Sequence, residues 1–265
     1  MHSDSVLFLS LDSCRYDSFV QAAANALKSV APVRQAKAPS HFTYGSHAAM
    51  FVGFTPGVAE EQTAMINPKY GRLFRLNYAG HPGLAQPGFL LSGNNIIEGF
   101  RNAGHKTIGT AAMGWFDPAT SVSQTLRQGF DHFYFAGHDG VARQVEWIQA
   151  QIADLDDHPA FVFINVGETH VPYHFEGAAW SRDDNPCKPF QTEDRSAECR
   201  ERQIACIEYV DGHLADLIQM FRGATIVMCA DHGDCWGEDG LWEHGISHEM
   251  TLTVPLAIRY RGTPV

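Results

Sequence analysis

Ser5-Val6-Leu7-Phe8-Leu9-Ser10-Leu11 runs straight into Asp12, and its reading decides the fold. A short, nearly continuous apolar run is the mark of a strand buried on both faces, as strands are in a parallel sheet. Residues 161–166 (FVFINV) and 224–230 (ATIVMCA) read the same way. A weaker run covers 107–111, and a fifth covers 254–258, where Pro255 has no N–H to give a ladder and predicts an edge position or the strand's own start. Between these runs the apolar spacing is helical. Ile96, Ile97 and Phe100 share a face in 94–103, with Gly104 suited to the helix end. Val145, Ile148, Ile152 and Leu155 do so in 141–155, and Ile204, Ile207, Val210, Leu214, Leu217 and Phe221 in 196–221. Strands alternating with helices predict an α/β three-layer sandwich, a mostly parallel central sheet with helices on both faces.

The 265 residues suffice for one such domain over 1–265. Two stretches read as loop insertions: 55–89, with five Gly and four Pro residues, and 175–194, with Pro186 and Pro189. The net charge of −11 comes without any basic run, which argues against a nucleic-acid-binding surface. An acidic protein can still take an anionic substrate where a bound cation dominates the local field. The start, Met1-His2-Ser3-Asp4-Ser5, lacks the basic segment and cleavage site of a signal peptide, and no apolar run is long enough for a membrane helix. The six Cys residues (14, 187, 199, 206, 229, 235) form no CxxC pair, and Cys229 reads as a core thiol. A reduced, cytoplasmic setting is the expectation, with a Cys187–Cys199 bridge as the alternative. The oligomeric state is not encoded in any pattern here.

The residues at the end of each apolar run carry the chemistry. The first run ends in Asp12, the second leads into Glu168 and His170, and the third ends in Asp231-His232. Ligands of open α/β sheets bind beyond the carboxyl ends of the strands, and carboxylates with imidazoles are the usual ligands of Zn²⁺ and Mn²⁺. A single Asp after a strand is more often a helix cap or turn residue. Three strand ends delivering such groups together, in a chain with 14 His, favour a metal site. His170 and His174, and again His244 and His248, are spaced four apart, which outside a helix says little. Residues 40–53 (SHFTYGSHAAMFVG) lead into a short apolar helix, so that a hydroxyl stands at a helix N-terminus, where backbone N–H groups and the dipole favour an anion. An ordinary N-cap is the plainer alternative.

These residues together resemble the alkaline phosphatase superfamily, which includes sulfatases and nucleotide pyrophosphatase/phosphodiesterases. Asp12-Ser13-Cys14-Arg15-Tyr16-Asp17 resembles its D-x-x-R-x-D strand end. Thr43-Tyr44-Gly45-Ser46-His47 resembles the nucleophile segment of its diesterases, where a Thr is followed four residues on by His. Residues 95–115 resemble its helix–strand unit, Gly129-Phe130-Asp131 its GFD, and Glu168-Thr169-His170-Val171-Pro172-Tyr173 the sulfatase pHxPY. Residues 208–216, Asp231-His232-Gly233-Asp234 with Gly237-Glu238-Asp239-Gly240, and Val254-Pro255-Leu256 continue the likeness in order. His244 falls where sulfatases carry a substrate-contacting Lys.

The resemblance implies a divalent metal, Zn²⁺ or Mn²⁺ first and Mg²⁺ or Ca²⁺ as alternatives, on Asp12, Thr43, Asp231 and His232. A second site is implied less directly, with His174 and His248 among its candidates. Thr43 would be the nucleophile, His170 and His244 catalytic and substrate-binding groups, and His47 a further substrate contact. Sulfatases need a Cys or Ser, matured to formylglycine, within C/S-x-P-x-R; here Thr43, Gly45 and His47 hold those places. Phosphoryl transfer or hydrolysis on a small anionic ester is therefore expected. A sulfuric or phosphonic ester hydrolase, and a non-catalytic metal-binding accessory protein, are the rivals.

Overall fold

The apolar runs become the centre of one large sheet in a computed structural model that describes residues 1–53, 74–77, 88–91 and 95–265. Along the chain lie β1 (Val6–Leu11), α1 (Tyr16–Gln21), α2 (Asn25–Lys28), β2 (Arg34–Lys37), α3 (Thr43–Val52), β3 (Phe74–Asn77) and β4 (Gly88–Leu91). Then come α4 (Ile96–Asn102), β5 (Lys106–Ala111), α5 (Gln124–Arg127), β6 (His132–Phe135), α6 (Val141–Ala153), β7 (Ala160–Val166) and α7 (Ser196–Met220). The last are β8 (Thr225–Ala230), β9 (Cys235–Trp236), β10 (Trp242–Glu243), α8 (Glu249–Leu252), β11 (Thr253–Tyr260) and β12 (Thr263–Pro264). The sheet order is β12-β11-β8-β1-β7-β5-β6, with β2 also on β11. From β8 to β6 the strands are parallel, and β11 turns antiparallel to β8.

Alternation along β1 splits the core in two. Leu7, Leu9 and Leu11 face an aliphatic layer with Phe19 of α1, Leu27 of α2, Val145 and Ile148 of α6, and Ile207, Val210 and Leu214 of α7. Phe8 faces the other way, into an aromatic layer with Phe51 of α3, Ile97 of α4, Leu126 of α5, Phe116, Phe130, Phe161 and Phe163. Helices thus cover both faces, as the sequence predicts. Phe163 is the hub of the aromatic layer, with ring centroids 5.1 Å from Phe51, 5.7 Å from Phe8 and 5.7 Å from His47, all edge-on. Removing a fully buried Phe leaves a cavity that its neighbours fill only in part, so Phe163→Ala is expected to cost about 3–5 kcal/mol in urea unfolding.

Some elements escape the sequence pattern for physical reasons. β2 (RQAK) is mostly exposed, and β6 at the far edge is only half-buried, so neither shows an apolar run. Pro255 is the third residue of β11, which has neighbours on both sides. The ladder to β8 begins at Leu256, one residue later, so the missing N–H falls before that pairing starts. The predicted insertion at 55–89 contains β3 and runs into β4, which pair antiparallel from Phe74↔Leu91 to Asn77↔Gly88. The remainder of that insertion lies outside the described residues. The one at 175–194 carries neither helix nor strand and packs Phe175, Trp180 and Cys187 with Tyr173, Cys199, Trp236 and Trp242. All six cysteines are free thiols, Cys187 and Cys199 included. Among the described residues no helix is long and apolar enough to cross a membrane.

Candidate active site

Parallel register brings the strand-end residues together. Leu11 lies level with Val166 of β7 on one side and Ala230 of β8 on the other, so the three chains leave the sheet at the same height. Asp12, Asp231 and His232 come directly after, all fully buried, and each offers a ligand atom within 4.8 Å of the others. His232 Nε2 is 3.7 Å from Asp12 Oδ1 and 3.6 Å from Asp231 Oδ2. Asp12 is held by Asn165, whose side-chain amide donates to Oδ2 at 2.9 Å. Asp231 Oδ1 accepts from the backbone N–H groups of Ser13 and His232, while its buried Oδ2 has no hydrogen-bond partner. His232 Nδ1 faces the Gly233 carbonyl at 3.1 Å, which places the hydrogen there and leaves Nε2 with its lone pair toward the carboxylates.

Burial raises the pKa of Asp231 to about 7, and burial with the charge of Asp231 raises that of Asp12. Burial also drops His232 to about 4, so its imidazole is neutral. Two neighbouring buried carboxyls, an orphaned carboxylate oxygen and an oriented neutral imidazole fit a divalent cation, whose charge would satisfy all three.

Thr43 is the first residue of α3, a helix that no side chain caps. Its Oγ1 lies 3.3 Å from Asp12 Oδ1 and 3.3 Å from His232 Nε2, so the hydroxyl borders the carboxylate–imidazole cluster at a helix N-terminus. Gly45 lets the 40–42 segment fold close over this end, for a Cβ there would sit 2.5 Å from Ser40 Oγ. Gly233 is needed for a similar reason, as a Cβ would come within 2.4 Å of the Met250 carbonyl. Arg15 ties the β1 and β8 ends together, bonding Asp17, Glu238 and the Asp234 carbonyl with its guanidinium 4.1 Å over Trp236.

A row of imidazoles leads away from the buried cluster. The His244 ring is 4.5 Å from that of His232, and His170 is 4.9 Å from His244. His244 Nδ1 bonds Asp234 Oδ1 at 2.7 Å, and Asp234 Oδ2 accepts from Tyr173, which in turn accepts from the Trp236 indole. Burial works against a charge on His244, but Asp234, with Asp12 and Asp231, outweighs it and lifts the imidazole to about 9. His170 goes the other way: burial drops it to about 4, and Nδ1 faces the Val171 carbonyl at 2.8 Å. One neighbour is thus a cation and the other neutral at pH 7, the separation that acid and base roles require.

The predicted residues divide accordingly. Asp12, Thr43, Asp231 and His232 converge, and His170 and His244 stand beside them. His47 does not reach the site's open side. It is fully buried, ringed by Phe51, Phe116 and Phe163, with Nδ1 on the Thr43 carbonyl and Nε2 on Ser10. It lies one helical turn after Thr43 on the sheet-facing side, with Nδ1 also 3.6 Å from Asp231 Oδ2. His174 is drawn off to Asp139 at 2.9 Å. His248 caps α8 by accepting from Met250 N–H and pairs with exposed Asp239. Neither joins a ligand group; a second such group among the described residues is His232, Asp234 and His244. Asp234 stands in the sequence only as the last residue of the 231–234 stretch that carries the resemblance, with no role of its own expected there. Gln203 is silent there. It is buried within α7 and binds Arg15 N–H, the Ser13 carbonyl and the Thr169 carbonyl. Asn165 does have a visible signal: with Ser10, its partner across β1 and β7, it interrupts runs that are otherwise apolar.

The sulfatase family profile matches residues 74–264. No curated protein matches the sequence. Solved structures do resemble it. The C-terminal periplasmic domain of phosphoethanolamine transferase EptC from Campylobacter jejuni is 11% identical with a TM-score of 0.62, over 98% of this chain and 80% of that one. The corresponding Escherichia coli domain, in complex with Zn, is 12% identical with a TM-score of 0.64, over 99% and 74%. Phosphonate monoester hydrolase of Agrobacterium radiobacter is 15% identical with a TM-score of 0.57, over 98% and 68%. At such identities the likeness is one of fold.

Proposed function

The chain belongs to the sulfatase family, within the alkaline phosphatase superfamily, and from that premise we propose that it hydrolyses or transfers phosphate esters through Thr43. The observation that carries this reading is the position of Thr43 Oγ1, 3.3 Å from both Asp12 and His232 at the start of α3. Asp12, Asp231 and His232, joined by Thr43 itself, would hold a divalent cation. Such a cation supplies Lewis-acid charge that lowers the pKa of a hydroxyl and of a leaving group. Zn²⁺ or Mn²⁺ suits a set of two carboxylates and an imidazole.

Thr43 attacks phosphorus in line, its hydroxyl proton passing to Asp12 Oδ1 3.3 Å away, and forms a phosphothreonine as the P–O bond to the ester's alcohol breaks and that alcohol takes a proton. His244, which Asp234 biases toward its cation through Nδ1, would donate that proton. The first turn of α3 adds its dipole to the same charge. Water or an acceptor alcohol then attacks the phosphothreonine and restores the hydroxyl. Threonine in place of a formylglycine precursor favours phosphorus over sulfate as the centre attacked.

The test is an ester panel on metal-loaded protein: nitrophenyl phosphate, bis-nitrophenyl phosphate, a phosphonate monoester and nitrophenyl sulfate. Turnover of a phosphate ester well above that of the sulfate is expected. Preference for the sulfate would overturn the reading, and inertness toward every ester would favour the accessory-protein alternative.

A further inference from the structure

Four groups outside the metal cluster form an unbroken chain that ends on His170. Asp139 Oδ1 faces His138 Nδ1 at 2.6 Å, and His138 Nε2 faces the Val171 carbonyl at 3.1 Å. That same carbonyl accepts from His170 Nδ1 at 2.8 Å. The His138 and His170 rings lie edge-on, with centroids 5.8 Å apart. Asp139 is anchored from outside as well, by His174 on Oδ2 and by Arg182 at 3.6 Å.

We propose that His138 and Asp139 position His170, fixing its hydrogen on Nδ1 so that Nε2 enters the active site as a proton acceptor. A neutral imidazole carries one hydrogen, and the partner of one nitrogen decides the state of the other. The free side chain favours hydrogen on Nε2, so the Nδ1 form needs a fixed acceptor. The Val171 carbonyl precedes Pro172, in a segment with no ladder or helix to hold it. His138 supplies the missing anchor by donating from Nε2 to that carbonyl while Asp139 takes the hydrogen on Nδ1, so that both ring nitrogens of His138 carry hydrogen. His174 then belongs to this support, as the outer partner of Asp139.

The consequence rests on the proposed phosphate-ester reading. His170 and His244 take opposite parts: His244 donates, while His170 accepts a proton from the incoming water or alcohol. The proton leaves the attacking oxygen for His170 Nε2 as the new P–O bond forms; the bond to Thr43 Oγ1 breaks and that oxygen recovers its proton from Asp12 Oδ1, and exchange with solvent then resets His170 and His244.

The test reads the tautomer directly, by two-bond ¹⁵N–¹H correlation of ¹⁵N-histidine-labelled protein, with His170 identified by its loss in His170→Gln. The Nδ1–H pattern is expected in the wild type, and a mixed or Nε2–H pattern in His138→Ala. Asp139→Asn, nearly isosteric, is expected to move the same resonances, with kcat falling about 10–100-fold in either variant, as loss of an outer-shell partner does. A wild-type pattern in both variants would overturn the proposal even in an active enzyme. If the wild type turned over no ester while the variants still shifted the tautomer, the phosphate-ester reading would fail and the positioning role would stand.

Discussion

Thr43→Ala is expected to lower kcat by roughly 10⁴-fold or more on the best ester of the panel, as removal of a nucleophile does elsewhere. The variant should keep its fold and its cation. Thr43 is one of several candidate ligands, and the buried Asp12, Asp231 and His232 remain in place without it. Phosphate trapping gives an independent reading. Acid-quenched wild-type protein should carry phosphate on the peptide that contains Thr43, and the variant none. Thr43→Ser retains a hydroxyl and should keep measurable turnover. Substantial activity in Thr43→Ala, with metal content unchanged, would remove Thr43 from the reaction and leave water as the attacking group.

Asp231→Asn is expected to separate stability from function. In metal-free protein this carboxyl is a cost: it is buried beside Asp12, and its Oδ2 has no partner. The amide keeps an oxygen for the Ser13 and His232 N–H groups and removes the charge, so metal-free stability should hold or rise. With cation added, the order reverses. At a concentration one hundred times Kd, binding should stabilise the wild type by about 2.7 kcal/mol, a rise of roughly 5–10 °C in Tm for a chain of this size. Asp231→Asn should gain little of this and should be inactive. An equal rise in both proteins would mean that the cation binds elsewhere.

The same site predicts a pH dependence. With its pKa raised to about 7, Asp231 holds a proton in the metal-free protein below that pH. A cation must displace it, so apparent affinity should fall by up to about tenfold per pH unit below 7 and level off above. His232, lowered to about 4, is already neutral in this window and adds nothing. Calorimetry in buffers of different ionisation enthalpy should detect about one proton released per cation at pH 6, and fewer at pH 8.

The layers and the strand ends are legible in the order of amino acids alone. Continuous apolar runs such as 5–11 and 161–166 require burial on both faces, and helical spacing between them supplies the covering layers. Residues directly after those runs must emerge at one edge, and so Asp12, Asp231 and His232 can be named before any geometry is known. Thr43 comes from the resemblance as much as from its place before an apolar helix. Local pattern says less where burial is partial, which is why β2 and β6 carry no sign of strand.

The role of each histidine, by contrast, emerges only in the folded molecule, because an imidazole takes its role from partners distant in the chain. His47 becomes a buried ring among Phe51, Phe116 and Phe163, His248 a helix cap, and His174 a partner of Asp139. His244 gains its charge from Asp234, and His170 loses its own to burial. Hydrogen bonds and desolvation set these differences over a few ångströms, and spacing along a chain does not encode distances of that size between loops.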